Sequence, residues 1–433
     1  MSRWPHEAPR LAPAVLLIAA GVLVAHVAVN LTTAYGFHRD ELLYLAMGQH
    51  LRFWRMDFPP FIAVLARVTR ALLGSSLVAV RLVPAVAAAL LVMLAGDAAR
   101  RMGGRRPAQV IAALAVAASP LFMRAGNLYQ PVILDQLWWT LALYCLIRLG
   151  ADQRLHRPEP SRWWLWLGVA GGFGLLTKFS ILFLGAAILA AILLTSRRKA
   201  LITRWPWAAL AIALVIGSAS IVGQMRLGWP VLGQLHDLRS TQLERVTVGA
   251  YLGGQFLYGP AVLLAALGLG WLLAADDARP YRVVGWSCLL AFILLLVLHG
   301  KAYYIGPIYP VLFAAGGIAA ERTSGASGRV LRLGLPALIV AYGLFILPVG
   351  VPILPPASMV RYIGAVHLGG ATHTNDGGGL PLPQDFADML GWEQLVRTTA
   401  RVYHALPADD QARTVIIGTN YGRAGAVDLL GPP

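Results

Sequence analysis

Acidic side chains are scarce in this chain, which sets 20 Asp and Glu against 36 Lys and Arg, and only 13% of its 433 residues carry charge. So little charge excludes an ordinary soluble domain, as do the 58% hydrophobic content and the mean hydropathy of +0.64. Cysteine is nearly missing. Cys145 and Cys288 stand alone in apolar surroundings, so neither a disulfide framework nor a thiolate metal site can be built and the redox compartment is not legible. The alternation of a β-barrel is absent, and no internal repeat is evident.

What is present is a series of nearly uncharged stretches about twenty residues long, each able to cross a hydrocarbon core as a helix. The first runs from Leu11 to Asn30; it lacks a small-residue cleavage site and is followed by further spans, so it reads as a retained signal anchor. Further crossings are expected near 76–96, 107–123, 131–149, 163–177, 179–195, 205–223, 250–274, 283–299, 302–320 and 333–350, about eleven in all. Threading them from a cytoplasmic N-terminus puts more than half of the 36 basic residues on short internal loops, from Arg3 and Arg10 through Arg100 and Arg157 to Arg332. The net charge of +16 then reflects orientation in an inner (plasma) membrane, and nucleic acid is not needed to explain it.

The expected architecture is an all-α polytopic membrane protein. A transmembrane domain spans 1–350, its first external loop (31–75) carrying interfacial helices, one of them over Phe61 to Gly74. An extracytoplasmic segment follows over 351–433. There the chain turns polar, breaks at Gly377-Gly378-Gly379, shows a helical pattern from Gln384 to Leu406 around Trp392, and then a strand over Thr414 to Gly418. Such a segment reads as a small external α/β unit docked on the membrane part.

Chemistry concentrates between Tyr35 and Pro60, where His38, Arg39, Asp40, Glu41, Tyr44 and Asp57 lie among aromatic residues. Asp40 and Glu41 point about 100 degrees apart on a helix, so they are not a shared-proton pair; helix capping is the plain reading, and a general base at the bundle mouth is the functional one. Asp135 sits inside an apolar helix, where an ionisable group is a functional hypothesis by default and a salt bridge to Arg124 or Arg81 is the alternative. Lys178 either snorkels or holds a phosphate, and Lys301 opens a span as an interface anchor. The glycines from Gly168 to Gly174 lie in an apolar helix with no strand before them, so they favour close helix packing over a nucleotide loop. In the 224–250 loop, His236, Asp237, Arg239, Glu244 and Arg245 read as a solvated helix. Carboxylates, cations and aromatics above a lipid-filled bundle suit transfer of a group from a lipid phosphate.

In their order along the chain, Phe37-His38-Arg39-Asp40-Glu41-Leu42, Asp57-Phe58-Pro59-Pro60, Leu134-Asp135, Thr177-Lys178, Lys301 to Pro310 and Asn420 to Ala426 resemble the motifs of family 39 glycosyltransferases of GT-C type. That family includes the dolichyl-phosphate-mannose protein mannosyltransferases and the lipid A aminoarabinose transferases. The resemblance implies a polyprenyl-phosphate sugar donor and inverting transfer to an extracytoplasmic acceptor. It also implies that Asp40 is the catalytic acid/base residue with Glu41 beside it, that Asp135 supports the catalytic site and that Lys178 binds the donor phosphate. His38, Arg39, Asp57, Tyr44 and Lys301 are further candidates for substrate binding. Two departures accompany it. Phe58-Pro59-Pro60 stands where relatives often carry His or Glu-Lys, and relatives commonly continue past the position of Pro433, which leaves truncation or reduced activity open. Dependence on a divalent cation stays open as well, since no ligand set is legible. The competing readings are a transporter or flippase of a lipid-linked anion, which requires intramembrane charge but no base, and a non-catalytic envelope assembly protein.

Overall fold

The computed structural model describes residues 9–154, 161–368, 372, 374 and 378–431; Arg3, Arg157 and Gly377 lie outside them. No β-strand occurs among the described residues, and helices account for nearly all regular structure. Among the described residues, seven straight helical spans of 18 or more residues are long and apolar enough to cross a membrane, and ten if each of three bent helix pairs counts as one span. Leu16, Leu17, Val24, Leu31, Leu214, Val215 and Leu344 turn outward from such spans, an apolar surface that suits lipid and not water. The protein is a multi-pass membrane protein.

The single spans begin with α1 (Pro13–Thr32), whose window is only 22% buried. Two short helices, α2 (Arg39–Gln49) and α3 (Phe61–Leu73), precede α4 (Leu77–Arg101). The chain continues as α5 (Arg106–Ala118), α6 (Pro120–Gly126) and α7 (Pro131–Arg154). Next come α8 (Ser161–Thr177), α9 (Ile181–Leu194), α10 (Arg204–Arg226), α11 (Pro230–Thr241) and α12 (Val248–Gly253). The bundle is completed by α13 (Ala261–Ala274), α14 (Arg282–Val297), α15 (Tyr309–Arg322), α16 (Gly325–Arg329) and α17 (Leu335–Gly350). Span windows in α7 and in Ala302–Arg322 are 78% buried, so these two form the centre of the bundle. Gly168 and Gly172 of α8 face α10 at backbone distance: a Cβ on Gly168 would lie 2.4 Å from the Ala209 carbonyl oxygen. These glycines therefore serve close packing.

Two expectations need correction. The crossing expected over 163–177 is not one of them: it falls on the 17-residue α8, within the about 17–25 residues of a transmembrane helix, and α8 runs back along α7 until Lys178 meets Asp135 at the start of that span. Two other crossings are not straight. The stretch 107–123 bends by 65° where Ser119-Pro120 separates α5 from α6, and 250–274 bends by 105° at Gly259-Pro260. Proline supplies no backbone donor, and Gly259 has φ +59°, so hydropathy reads through both breaks while the backbone does not. Finally, Thr414–Gly418 has no regular structure and no strand partner, with Val415 and Ile417 more than 80% exposed. A strand needs a neighbour to satisfy its backbone, and no second strand is offered, so the α/β description of the tail gives way to an all-helical one.

Beyond α17 the tail contributes α18 (Pro356–Ala365), α19 (Gln384–Ala387), α20 (Trp392–His404), α21 (Ala408–Gln411) and α22 (Tyr421–Leu430). It has no separate core. Phe386, Met389, Met359 and Ile363 pack with Tyr35 and Leu128, while Val396 and Ala426 pack with Leu42. The tail thus closes over α2 at one end of the bundle.

Candidate active site

The local fold of Tyr35–Gln49 is set by reciprocal capping. His38 takes the N-cap of α2, and its Nδ1 accepts from the Asp40 backbone N–H at 3.1 Å, while Glu41 Oε2 accepts from the His38 N–H at 2.7 Å. The two neighbouring carboxylates are then treated differently. Glu41 is fully buried: Oε1 accepts from Arg81 Nε at 2.9 Å and Tyr129 N–H at 2.7 Å, and Oε2 also accepts from Arg81 Nη2 at 2.8 Å. Burial alone would raise its carboxyl, but the Arg81 charge and these donors outweigh that and hold it below the usual carboxylate range. Both oxygens are engaged, leaving none for a substrate. The catalytic expectation for Glu41 therefore meets a structural anchor: Arg81, itself buried, reaches onward to Asn30 Oδ1 at 3.2 Å and the Gly36 carbonyl at 3.0 Å.

Asp40 has neutral hydrogen-bond partners. Tyr421 donates its hydroxyl to Oδ1 at 2.7 Å and Gln130 donates its amide to Oδ2 at 3.0 Å, with Arg39 Nε at 3.8 Å and 28% of the side chain exposed. Tyr44 stands one turn along α2; burial first, then the Asp40 charge, raises its phenol above the ordinary value. Tyr421 reaches Asp40 because α22 lies almost on the backbone of α2. A Cβ on Gly425 would meet the Leu42 carbonyl at 3.0 Å, and one on Gly422 would meet Arg39 Cγ at 2.3 Å. The glycines of Asn420–Ala426 are thus contact residues.

A second group of charges fastens the tail. Arg39 lies 3.4 Å from Asp388, Arg124 lies 3.4 Å from Asp385 and over the Phe386 ring at 4.0 Å, and His38 Nε2 is 3.7 Å from Asp385. Burial opposes charging of His38, but Asp385, Asp40 and Glu41 outweigh it and raise its pKa above the ordinary value. The same contacts, with Arg124 and Arg39, lower the half-exposed Asp385 carboxyl to about 2.

One helical turn into the bundle, Asp135 accepts from the Ser180 hydroxyl at 2.6 Å and faces Lys178 Nζ at 3.9 Å. Its partner is therefore Lys178, and neither Arg124 nor Arg81. Lys178 also rests over the Tyr304 ring at 4.8 Å, with 32% of its side chain exposed. The two polar groups are linked by α7, which Gln130 immediately precedes and in whose second turn Asp135 lies, and Tyr303, edge-on to Tyr304, lies within electrostatic range of Asp40.

Two expected residues make contacts of another kind. Asp57 caps its own turn by accepting from the Phe58 N–H, and its backbone carbonyl takes the Gln224 amide. Lys301 donates to Gln242, which follows α11, a helix with no buried residue. Among the described residues, no group of three or more His, Cys, Asp or Glu has the geometry to hold a metal ion.

Residues 57–222 match the model of the family described as dolichyl-phosphate-mannose-protein mannosyltransferase, a stretch of less than half the chain. In structure the chain is similar to ArnT from Cupriavidus metallidurans bound to undecaprenyl phosphate, with a TM-score of 0.65 and 16% identity over 96% of this chain and 84% of that one. The apo state of ArnT gives 0.63 at 19% identity, covering 95% and 73%. An oligosaccharyltransferase from Archaeoglobus fulgidus in complex with Zn and sulfate gives 0.54 at 16%, covering 94% of this chain and 57% of that one. Identities this low carry the fold alone, and it is the GT-C fold that the sequence motifs resemble. No individually curated protein matches the chain by sequence.

Proposed function

We propose that this chain is a membrane glycosyltransferase that moves a sugar from a polyprenyl phosphate to an extracytoplasmic acceptor, with Asp40 as the general base. The observation that carries the reading is the unequal treatment of two adjacent carboxylates. Glu41 is consumed by Arg81 and two backbone donors, whereas Asp40 sits half-open at the bundle mouth under a tyrosine and an amide. A carboxylate so held, with Arg39 at 3.8 Å and no cation hydrogen-bonded to it, can take a proton from an acceptor hydroxyl. The acceptor oxygen forms its bond to the anomeric carbon, the bond from that carbon to the phosphate oxygen breaks, the phosphate keeps the electron pair, and the acceptor proton goes to Asp40.

Lys178, oriented by Asp135 and the Tyr304 ring, is placed to stabilise the departing phosphate. An apolar groove of about 440 Å³ begins at Leu175 and Ile181, on either side of Lys178 in sequence, and runs past Leu189 to Trp207, a path for an isoprenoid tail. The family match and the polyprenyl phosphate held by ArnT agree with this donor class. With the basic loops inside, the Asp40 end and the tail face the extracytoplasmic side of the inner membrane. Mass spectrometry of envelope glycolipids and glycoproteins from cells with and without the chain tests the function: one glycan-bearing species should lose a sugar in its absence. An unchanged glycan profile, with only the distribution of a lipid-linked anion altered, would favour a transporter.

A further inference from the structure

At the far end of the bundle from Asp40, a cavity of about 1320 Å³ opens between α13, α15 and α17, larger than the about 300–1,000 Å³ typical of a pocket for a small ligand. Its place is fixed by one span: Tyr304 touches Lys178 near one end of Ala302–Arg322, and Arg322 closes the other end. The deep walls are apolar, formed by Leu263, Leu267 and Gly270 of α13 and by Leu335 and Leu338 of α17. A π-helical turn, Val330–Gly334, forms the wall nearest the rim. The polar rim holds Arg322, Asp277 and Thr323. Arg322 is stacked over Trp271 at 4.8 Å and paired with Asp277, and the Thr323 hydroxyl donates to the Ala319 carbonyl.

We infer that this cavity binds a zwitterionic aminophospholipid, with an acyl chain between α13 and α17, the phosphate at Arg322 and the ammonium at Asp277. The rim carries one charge of each sign, joined as an ion pair. A singly anionic headgroup is attracted by Arg322 but opposed by Asp277, whereas a headgroup bearing phosphate and a primary ammonium can lie alongside the pair and extend it into a four-charge array. Basic pockets between transmembrane helices at the membrane surface are recognised lipid sites, and the carboxylate narrows the headgroup here. Gly270 supplies the room: a Cβ built on it meets nothing within 4 Å, so the groove admits a chain where a larger residue would fill it.

The test is native mass spectrometry of the purified full chain in detergent, titrated separately with phosphatidylethanolamine, phosphatidylglycerol and phosphatidylcholine. One phosphatidylethanolamine should bind roughly tenfold tighter than either competitor, since phosphatidylcholine has no N–H to donate to Asp277. Asp277→Asn should bring phosphatidylethanolamine and phosphatidylglycerol level. Gly270→Leu, whose side chain enters open space and does not disturb the fold, should abolish the preference. Equal binding of the three lipids by the wild-type chain, a preference for phosphatidylglycerol, or a preference that survives Gly270→Leu would overturn the inference.

Discussion

At the scale of single residues, Asp40, the proposed base, and Glu41, held by Arg81, should respond differently to substitution. Asp40→Asn should lower transfer by about 10²–10⁴-fold while leaving the melting temperature unchanged, the range expected for loss of a general base. Arg81→Met should act on stability instead. It strands the buried Glu41 carboxylate, with an expected cost of about 3–5 kcal/mol, read as a fall in melting temperature of the purified chain in detergent; unchanged melting would show that the pair does not anchor α2. Asp40 and Lys178 were legible in the sequence because charge is rare in an apolar chain and each stands beside a span. Their partners were not. Tyr421 is separated from Asp40 by 381 positions and Arg81 from Glu41 by 40, and no local pattern announces either contact. Asp135 was legible as a buried charge, but its partner was sought among arginines because Lys178 lies across a helix boundary.

At the scale of elements, α22 and the acidic α19 region are the parts that convert an open bundle mouth into a closed site. Gly425→Val forces a side chain into the Leu42 backbone, and overpacking of this kind costs about 1–3 kcal/mol. The variant should loosen α22, detach Tyr421 from Asp40 and raise protease sensitivity of the tail before the spans are affected. Docking of α19 should depend on pH. The His38 pKa is raised, so its contribution is complete below the unfolded value of about 6.5 and is lost as pH rises through the folded value. Hydrogen exchange over residues 384–404 should therefore speed up on raising the pH from about 6 to about 9 beyond the intrinsic base-catalysed increase, and His38→Asn should flatten the excess. Protection that follows intrinsic exchange alone in the wild-type chain would contradict the clamp. Of the tail's helices, α19 and α20 were visible in the periodicity of Gln384 to Leu406, whereas α18, α21 and α22 were not read. The strand at Thr414–Gly418 was misread because β-branched apolar residues suggest strand wherever they occur, although pairing depends on a partner the sequence cannot display.

At the scale of the whole molecule, the span pattern, the central position of α7 and the gathering of polar residues at one end follow from hydropathy and from the cost of burying unpaired charge. The bends at Ser119-Pro120 and Gly259-Pro260 were spelled in residues, yet a hydropathy window averages over them. Orientation is testable without knowing the substrate. With both native cysteines buried, single cysteines at Asp57 and Lys199 should label from opposite faces of sealed vesicles, Asp57→Cys from the extracytoplasmic face. The central claim is that Asp40 drives sugar transfer from a polyprenyl phosphate. It is tested most directly by incubating purified wild-type chain and Asp40→Asn with a radiolabelled polyprenyl-phosphate sugar and an envelope acceptor extract. The account predicts label moving to an acceptor with release of polyprenyl phosphate by the wild type, and neither event above background with Asp40→Asn. Equal transfer by the two proteins would contradict it.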